Sequence, residues 1–394
     1  MISALIGLFA VHCVRRIPSG LHLLLKGLEP PMRKRRFVVA ACVLLGSSAL
    51  AQTGRGKGLT DVEGVKVGHH TLSERPTGCT VILVDGDGAV GGISQRGAAP
   101  GTRETDLLDP LNMVERVNAI VLSGGSAFGL DAAQGVMRYL EEKNVGYKTS
   151  AGVVPIVPAA VIFDLPFVHN PKVRPTADCG YKAAASATSG PVREGNVGAG
   201  AGATVGKVFG VAKLFGQSDP HRMPMKAGVG SASITLPNGL VVGAIVVVNA
   251  VGDIVDPSTG AVVAGVRNSN GTLADARKLL RAGAPIAPPR AGENTTLAVV
   301  ATNAKLTKAQ ANRLALMADD GLARAINPSH TQGDGDTVFG LATGRWDGEA
   351  DMTTIGALAA DVLAEAIVRA ATQADSLGGL ASARQLGTVP ARFR

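Results

Sequence analysis

Ser231-Ala232-Ser233-Ile234-Thr235-Leu236 and Leu240-Val241-Val242-Gly243-Ala244-Ile245-Val246-Val247-Val248 flank Pro237-Asn238-Gly239. Asn-Gly between two β-rich runs signals a tight hairpin, because both residues tolerate the positive φ that such turns demand. At least one strand pair is therefore antiparallel. Outward from it, short apolar runs predict strands at Thr80 to Val84, Ala89 to Ile93, Asn118 to Leu122, Thr295 to Thr302 and Val338 to Thr343. Asp85-Gly86-Asp87-Gly88 reads as a turn. Helical patterns cover Leu130 to Lys143, Tyr181 to Ala187, Thr307 to Ala325 with Thr307 as N-cap, and the Ala-rich Thr354 to Ala371. Val153 to Ile162 carries Pro155 and Pro158 and reads as an edge or irregular segment. Residues 256–293, rich in Gly, Pro, Ala and Arg, read as an exposed linker with one short helix near Leu273 to Arg281. Strands and helices thus alternate irregularly around an antiparallel pair. That pattern predicts an α/β sandwich with mixed sheets rather than a doubly wound parallel sheet. The chain has no internal repeat.

Composition agrees with layered packing. Hydrophobic residues make up 46% and charged residues 18%, which excludes global disorder. Aromatics are only 3% while Gly numbers 51, so the core must be built from Ala, Val, Leu and Ile with close backbone approaches. Few aromatics also argue against stacking platforms for bases. The net charge of +8 misleads. Residues 1–51 hold seven of the 39 basic residues and one of the 31 acidic ones, leaving 32 and 30 for the rest. A remainder so near balance gives no electrostatic case for a nucleic-acid partner.

The leader itself has an order. Arg33-Lys34-Arg35-Arg36 precedes an apolar run from Phe37 to Leu45, and Ser48-Ala49-Leu50-Ala51 follows. These are the charged, apolar and small-residue regions of a signal peptide, over 32–51, with cleavage expected after Ala51. The apolar run falls short of the roughly 20 residues of a spanning helix, so no stable membrane anchor is expected. Residues 1–31 precede a complete signal and are expected to lie outside the functional protein. Val39-Ala40-Ala41-Cys42 resembles a lipoprotein box but lies too close to Arg36 for a normal apolar region. Cys13 and Cys42 go with the leader. The remaining Cys79 and Cys179 are expected as separate buried thiols, although export would permit a disulfide. No Cys-x-x-Cys or His-x-x-x-His spacing suggests a metal, and no cofactor is expected.

Three stretches could carry chemistry. In Gly292-Glu293-Asn294-Thr295-Thr296 the linker meets a buried strand. It is either an ordinary junction, a glycosylation sequon, or a place where the Thr295 hydroxyl attacks the Asn294 carbonyl and frees Thr295 as a new N-terminus. His330-Thr331-Gln332-Gly333-Asp334-Gly335-Asp336-Thr337 holds two carboxylates two residues apart, able to orient a hydroxyl and hold an amine. Its alternatives are a solvated turn or a calcium loop, and the full calcium spacing is lacking. Ser123-Gly124-Gly125-Ser126-Ala127-Phe128-Gly129 stands at a strand-to-helix junction where backbone amides could bind an oxyanion, or where glycines only permit close packing. Phe128 stands where a nucleophile elbow needs Gly, and Asp131 near where a phosphate loop needs Lys. The Gly/Ala run from Gly198 to Gly206 ends at Lys207, which is either a surface lysine or a charge placed in a cleft.

These residues resemble, in order along the chain, the DmpA-like L-aminopeptidase/D-esterases, a family that includes β-aminopeptidases and nylon-oligomer hydrolases. The resemblance rests on Leu59-Thr60-Asp61-Val62, Val65-Lys66-Val67-Gly68, the Ser123 to Leu130 stretch, Ala203-Thr204-Val205-Gly206-Lys207 and Val248-Asn249-Ala250. Asn294-Thr295-Thr296, Ala301-Thr302-Asn303-Ala304 and Gly333-Asp334-Gly335-Asp336-Thr337 complete it. The resemblance implies an α-β-β-α sandwich like that of N-terminal-nucleophile hydrolases but with DmpA connectivity. It implies one hydrolase domain over 52–394, cut between Asn294 and Thr295 into 52–294 and 295–394, and homo-oligomers, often of four cleaved protomers. Thr295 matches the nucleophile. Lys207 and Asn249 match polar groups that position it and stabilise the oxyanion, and Asp334 and Asp336 match the acidic pair of the nylon-oligomer branch. Gly124, Gly125, Ser126, Ala127 and Phe163 match substrate-side positions. Many members carry Tyr where Phe163 stands, so the hydroxyl contact is missing here. The implied activity is an aminopeptidase or amidase acting on small peptides or amino-acid amides and esters. The alternatives are acyl transfer of the ornithine acetyltransferase type and a non-enzymatic exported binding protein.

Overall fold

The structure is a computed structural model that describes residues 56–168, 170–209, 224–268, 270–284 and 293–394. The leader over 1–51, with Cys13, Cys42 and the expected cleavage after Ala51, lies outside the described residues. Eleven strands among those described form two sheets. In chain order they are β1 (Val65–Thr71), β2 (Gly78–Val84), β3 (Ala89–Gln95), β4 (Thr102–Arg103), β5 (Arg116–Val117) and β6 (Ala119–Ser123). There follow β7 (Ala159–Val161), β8 (Val229–Thr235), β9 (Val241–Asn249), β10 (Thr295–Thr302) and β11 (Thr337–Ala342). One sheet has the order β1-β2-β6-β7-β4 and the other β8-β9-β10-β11-β3-β5. β6 and β7 are parallel, as are β10 and β11, and the remaining pairs are antiparallel. The sheets are therefore mixed, as the sequence pattern predicts.

Side-chain alternation sorts the layers. Along β10, Leu297, Val299 and Ala301 enter a core shared with Ile82, Ile120 and Leu122 of the other sheet. Ala298 and Val300 point the opposite way, into a core with Leu314, Leu363 and Ile367. Every residue of β9 and β10 is buried because both faces are covered, which is why these strands read as unbroken apolar runs. Leu314 belongs to α3 (Lys308–Ala318, after α1 over Ala132–Glu141 and α2 over Ala177–Ala185). Leu363 and Ile367 belong to α5 (Met352–Thr372, after α4 over Asp320–Ala325). On the far side Cys79, Val81 and Leu83 of β2 pack with Ala132 and Val136 of α1 and Ala183 of α2. The result is an α-β-β-α sandwich.

Glycines let the layers close. A Cβ on Gly230 of β8 would lie 2.0 Å from the carbonyl oxygen of Ala366 and 2.4 Å from the amide nitrogen of Ala370, both backbone atoms of α5. Gly68 of β1 would meet the Ala183 carbonyl of α2 at the same 2.0 Å. Gly230→Ala should therefore lower stability by about 1–3 kcal/mol through overpacking. Gly190→Ala, whose Cβ would meet only Thr188 Oγ1 at 3.5 Å, should stay within about 0.5 kcal/mol. Urea unfolding of both variants compares them.

Several expectations are corrected. Residues 256–293 are not a plain exposed linker. Val262–Ala264 pairs with Asp253–Val255, which pairs with Ile326–Asn327, and Val263, Ala264 and Ala276 are buried. The cause is Asp253, whose carboxylate accepts from the amides of Val266 at 2.8 Å and Ala276 at 2.7 Å and draws the segment inward. Cys79 and Cys179 are bonded to each other, with Cα atoms 6.1 Å apart, because α2 packs directly over β2. Ala159–Val161 is a buried strand between β6 and β4 rather than an edge, and Pro155 and Pro158 stand before it. The helix expected over Thr307 to Ala325 is two, separated at Asp319, and Thr307 caps the first with a capping box to Gln310. The helix expected from Leu130 begins as a 3₁₀ segment over Ser126–Asp131, and that expected from Tyr181 begins at Ala177.

Candidate active site

Strand order brings distant residues together at the first residue of β10. Thr295 stands opposite Asn249, the last residue of β9. On the other side β11 runs parallel to β10, so the segment entering β11 passes Asn294, which bridges Asp334. A carboxylate pair beginning 39 residues beyond Thr295 thus returns to it.

The carbonyl of Asn294 is held from two sides. The amide of Gly335 donates to its oxygen at 2.8 Å, and the Thr295 hydroxyl donates to the same oxygen. Gly335 must be glycine, since a Cβ there would lie 2.6 Å from the Ala99 carbonyl and 2.9 Å from Thr295 Oγ1. The amide of Asn294 donates to Gly333 at 3.3 Å. A carbonyl so placed is polarised where negative charge would grow on attack.

The two aspartates organise this junction. Asp336 Oδ1 accepts from the amide of Thr296 at 2.7 Å and its Oδ2 from the amide of His330 at 3.0 Å. Asp334 Oδ2 accepts from the amide and hydroxyl of Thr331, at 3.1 and 2.6 Å, and its Oδ1 lies 3.4 Å from the amide of Val251. Both are buried. Burial and the adjacent Asp336 charge hold the Asp334 carboxyl above the usual carboxylate range, against the pull of Thr331 and Lys207.

Lys207 reaches the site through Asn249. Its Nζ donates to the backbone carbonyl and to Oδ1 of Asn249, both at 2.9 Å, and its own amide donates to Val251 at 2.7 Å. Burial depresses its pKa, while the charges of Asp334 and Glu293 work to restore it. Asn249 is fixed on every side. Its Oδ1 also accepts from the amide of Thr204 at 3.1 Å, and its Nδ2 donates to the carbonyl of Phe163 at 3.2 Å. An ammonium has three protons, and among the described residues two of them are engaged, both with Asn249.

Gly124, Gly125, Ser126 and Ala127 form the loop after β6. Three of its amides are already engaged: Gly124 with the Gly78 carbonyl at 2.9 Å, Gly125 with Asp164 Oδ1 at 2.9 Å, and Ser126 with the Ile162 carbonyl at 3.0 Å. The expectation that loop amides meet an oxyanion is therefore corrected for these three. Gly125 is needed as glycine at φ +84°. Asp164 anchors the loop and is itself held by Arg75 Nη2 at 2.9 Å and Thr77 Oγ1 at 2.6 Å. Its neighbour Phe163 meets Asn249, so the loop is tied to the Thr295 junction through residues 163–164. Ala127 is exposed, and Ser126 and Phe163 are half-buried. Sequence reasoning missed Asp164, Arg75, Thr204, Thr331 and the amide of Gly335. Thr331 and Gly335 had a signal in their place beside or within the Asp-Gly-Asp motif, and Thr204 in its place within the motif ending at Lys207. Among the described residues no group of three or more His, Cys, Asp or Glu could hold a metal ion.

Comparison with known proteins places this arrangement. The model of peptidase family S58 matches residues 57–212 and 220–385. The chain is 42% identical over 364 residues to an uncharacterized aminopeptidase of Mycobacterium leprae, covering 85% of this chain and 95% of that one. It is 30% identical over 335 residues to a 6-aminohexanoate-oligomer endohydrolase of a Kocuria species, covering 81% and 87%. Among solved structures it resembles the L-aminopeptidase D-Ala-esterase/amidase of Ochrobactrum anthropi, described as a variant of the Ntn-hydrolase fold. There the TM-score is 0.62 at 20% identity, over 86% of this chain and 96% of that one. A Burkholderia β-aminopeptidase gives 0.61 at 22% identity, over 86% and 95%. The fold is thus of the Ntn-hydrolase type, and the chain belongs to peptidase family S58, hydrolases of the amide bond.

Proposed function

We propose that the protein is an exported, self-processing amide hydrolase in which Thr295 cuts the chain after Asn294 and then serves as the nucleophile. The observation that carries this reading is the Asn294 carbonyl, held by the Gly335 amide against the Thr295 hydroxyl. Attack of Oγ1 on the Asn294 carbonyl carbon forms an ester as the peptide C–N bond breaks and the hydroxyl proton passes to the departing nitrogen. Water then cleaves the ester, leaving a carboxylate on Asn294 and a free hydroxyl and α-amine on Thr295. With an unperturbed pKa near 7.7–8.0, that amine is the base able to take the hydroxyl proton when a substrate carbonyl is attacked, and to return it to the leaving amine. Lys207, whose described partners are both on Asn249, supplies positive charge to the developing oxyanion. The names of the relatives, an aminopeptidase and a 6-aminohexanoate-oligomer endohydrolase, support small peptides or amino-acid amides and esters as substrates. Residues 32–51 direct export, and the cleaved protomers, 52–294 with 295–394, assemble as homo-oligomers.

Purified protein should run as two bands on a denaturing gel, with Thr295 first in the smaller fragment by N-terminal sequencing. It should release amine from one or more of a panel of amino-acid p-nitroanilides, β-peptides and amino-acid esters. An uncut chain with full activity would overturn the mechanism, an uncut chain that only binds would favour a binding protein, and product appearing only with an added acceptor amine would mark acyl transfer.

A further inference from the structure

Behind Asp336, away from Thr295, lies a second set of titratable groups. His330 Nδ1 is 3.0 Å from Asp336 Oδ2, and His330 Nε2 is 3.5 Å from Asp319 Oδ1. Asp319 is 1% exposed and Asp336 2%. Ser94 donates to Asp319 Oδ2 at 2.7 Å, and Arg96 Nε lies 3.4 Å from that oxygen. The two His330 contacts are ionic rather than aligned hydrogen bonds, and no other partner serves either His330 ring nitrogen or Asp319 Oδ1 among the described residues.

A neutral imidazole carries one N–H and one lone pair. With a carboxylate oxygen facing each nitrogen, a neutral ring would turn its lone pair onto one buried carboxylate. With both carboxylates ionised, only the imidazolium presents a proton to both; burial raises the Asp319 carboxyl, while the Ser94 bond and the charges of His330 and Arg96 pull it down. The backbone points the same way. His330 has φ +54°, in the left-handed region, and this lets its amide and its ring address the same oxygen of Asp336.

We propose that His330, held as an imidazolium between Asp336 and Asp319, is a positioning residue that clamps Asp336 and thereby fixes the start of β10 for the chemistry of Thr295. The functional half of this proposal rests on the role given to Thr295 above, whereas the ion triad does not. The charged groups facing His330 are Asp336, Asp319 and, behind Asp319, Arg96. Burial works against its charge, but contact with Asp336 and the charges of both carboxylates outweigh it and raise the ring above the ordinary histidine value. The clamp is therefore present at low pH and is lost as pH rises through that raised value.

The test is a pH titration of the full protein labelled at histidine Cε1 and followed by NMR, with the His330 signal identified by its loss in His330→Gln. His330 should titrate above about 6.5. Asp319→Asn should lower it by about one unit or more, as expected for loss of an opposite charge at this range. Arg96→Ala, a change at a part-exposed side chain, should raise it and serves if Asp319→Asn does not fold. Titration at or below the ordinary value, or no response to either variant, overturns the triad. On processed enzyme, Asp319→Asn or Arg96→Ala should shift the alkaline limb of kcat in the direction of the NMR shift, with KM unchanged. A uniform fall in kcat at every pH, with no shift of the limb, overturns the positioning role. If wild-type protein neither cuts itself nor hydrolyses any amide, the titration still decides the triad, and only the role given to Thr295 falls.

Discussion

Thr295→Ala protein should accumulate as a single uncut chain without measurable amide hydrolysis. The change removes one hydroxyl from a buried position at the end of a strand whose apolar residues still fill both cores, so the sandwich and its secondary structure persist. In the proposed mechanism it removes the only atom of residue 295 that can attack the Asn294 carbonyl, and it withholds the α-amine, since that amine would exist only after the cut. Both functions of the nucleophile vanish together, so the loss should reach the roughly 10⁶-fold scale seen when a nucleophile is deleted. Thr295→Ser keeps the hydroxyl and should both cut and retain activity, more slowly if the lost methyl loosens the hydroxyl's orientation. Intact-mass spectrometry and turnover on the same samples check both variants. An Ala variant that still yields a fragment beginning at residue 295 would show that another group cuts the chain.

What could be read from the sequence was local. Pro237-Asn238-Gly239 fixed the β8–β9 hairpin because turn chemistry acts within a few residues. The apolar run after Thr295 declared β10, since a strand covered on both faces needs no polar alternation. What could not be read was set by strand order. The local pattern of Asp334-Gly335-Asp336 does not say that it lies beside Asn294; only the family resemblance implied a shared site, and parallel pairing of β10 with β11 is what brings them together. Cys79 and Cys179, 100 residues apart, meet because α2 crosses β2. Composition misled over 256–293, where Gly, Pro and Arg suggest exposure but the single carboxylate of Asp253 gathers amides from two later positions. The glycines of 124 and 125 pointed to a ligand loop, yet their amides serve the protein, one of them through an aspartate 39 residues later.

Asp336→Ala and Lys207→Ala should each lower turnover at least about a hundredfold on fully processed enzyme, the scale of losing an oxyanion-type donor. They should do so for different reasons. Asp336 accepts from the amide of Thr296, so its loss frees the residue next to the nucleophile and also leaves His330 facing Asp319 alone. Lys207 grips Asn249, the cross-strand partner of Thr295, through two bonds, and in the proposed mechanism its charge serves the developing oxyanion. Asp336→Asn keeps an acceptor for the Thr296 amide and should recover part of the Asp336→Ala loss, whereas Lys207→Met keeps bulk without charge and should recover little. Because burial lowers the pKa of Lys207, loss of its proton should add a second alkaline limb well below that of an ordinary lysine, one that Asp319→Asn leaves in place while it moves the His330 limb. Slow self-processing would mimic lost catalysis, so rates are compared only on protein shown by mass to be completely cut. Processed Asp336→Ala and Lys207→Ala enzymes that turn over like wild type would leave Asp334-Gly335-Asp336 a structural turn and Lys207 a strut for Asn249, even with Thr295 as nucleophile.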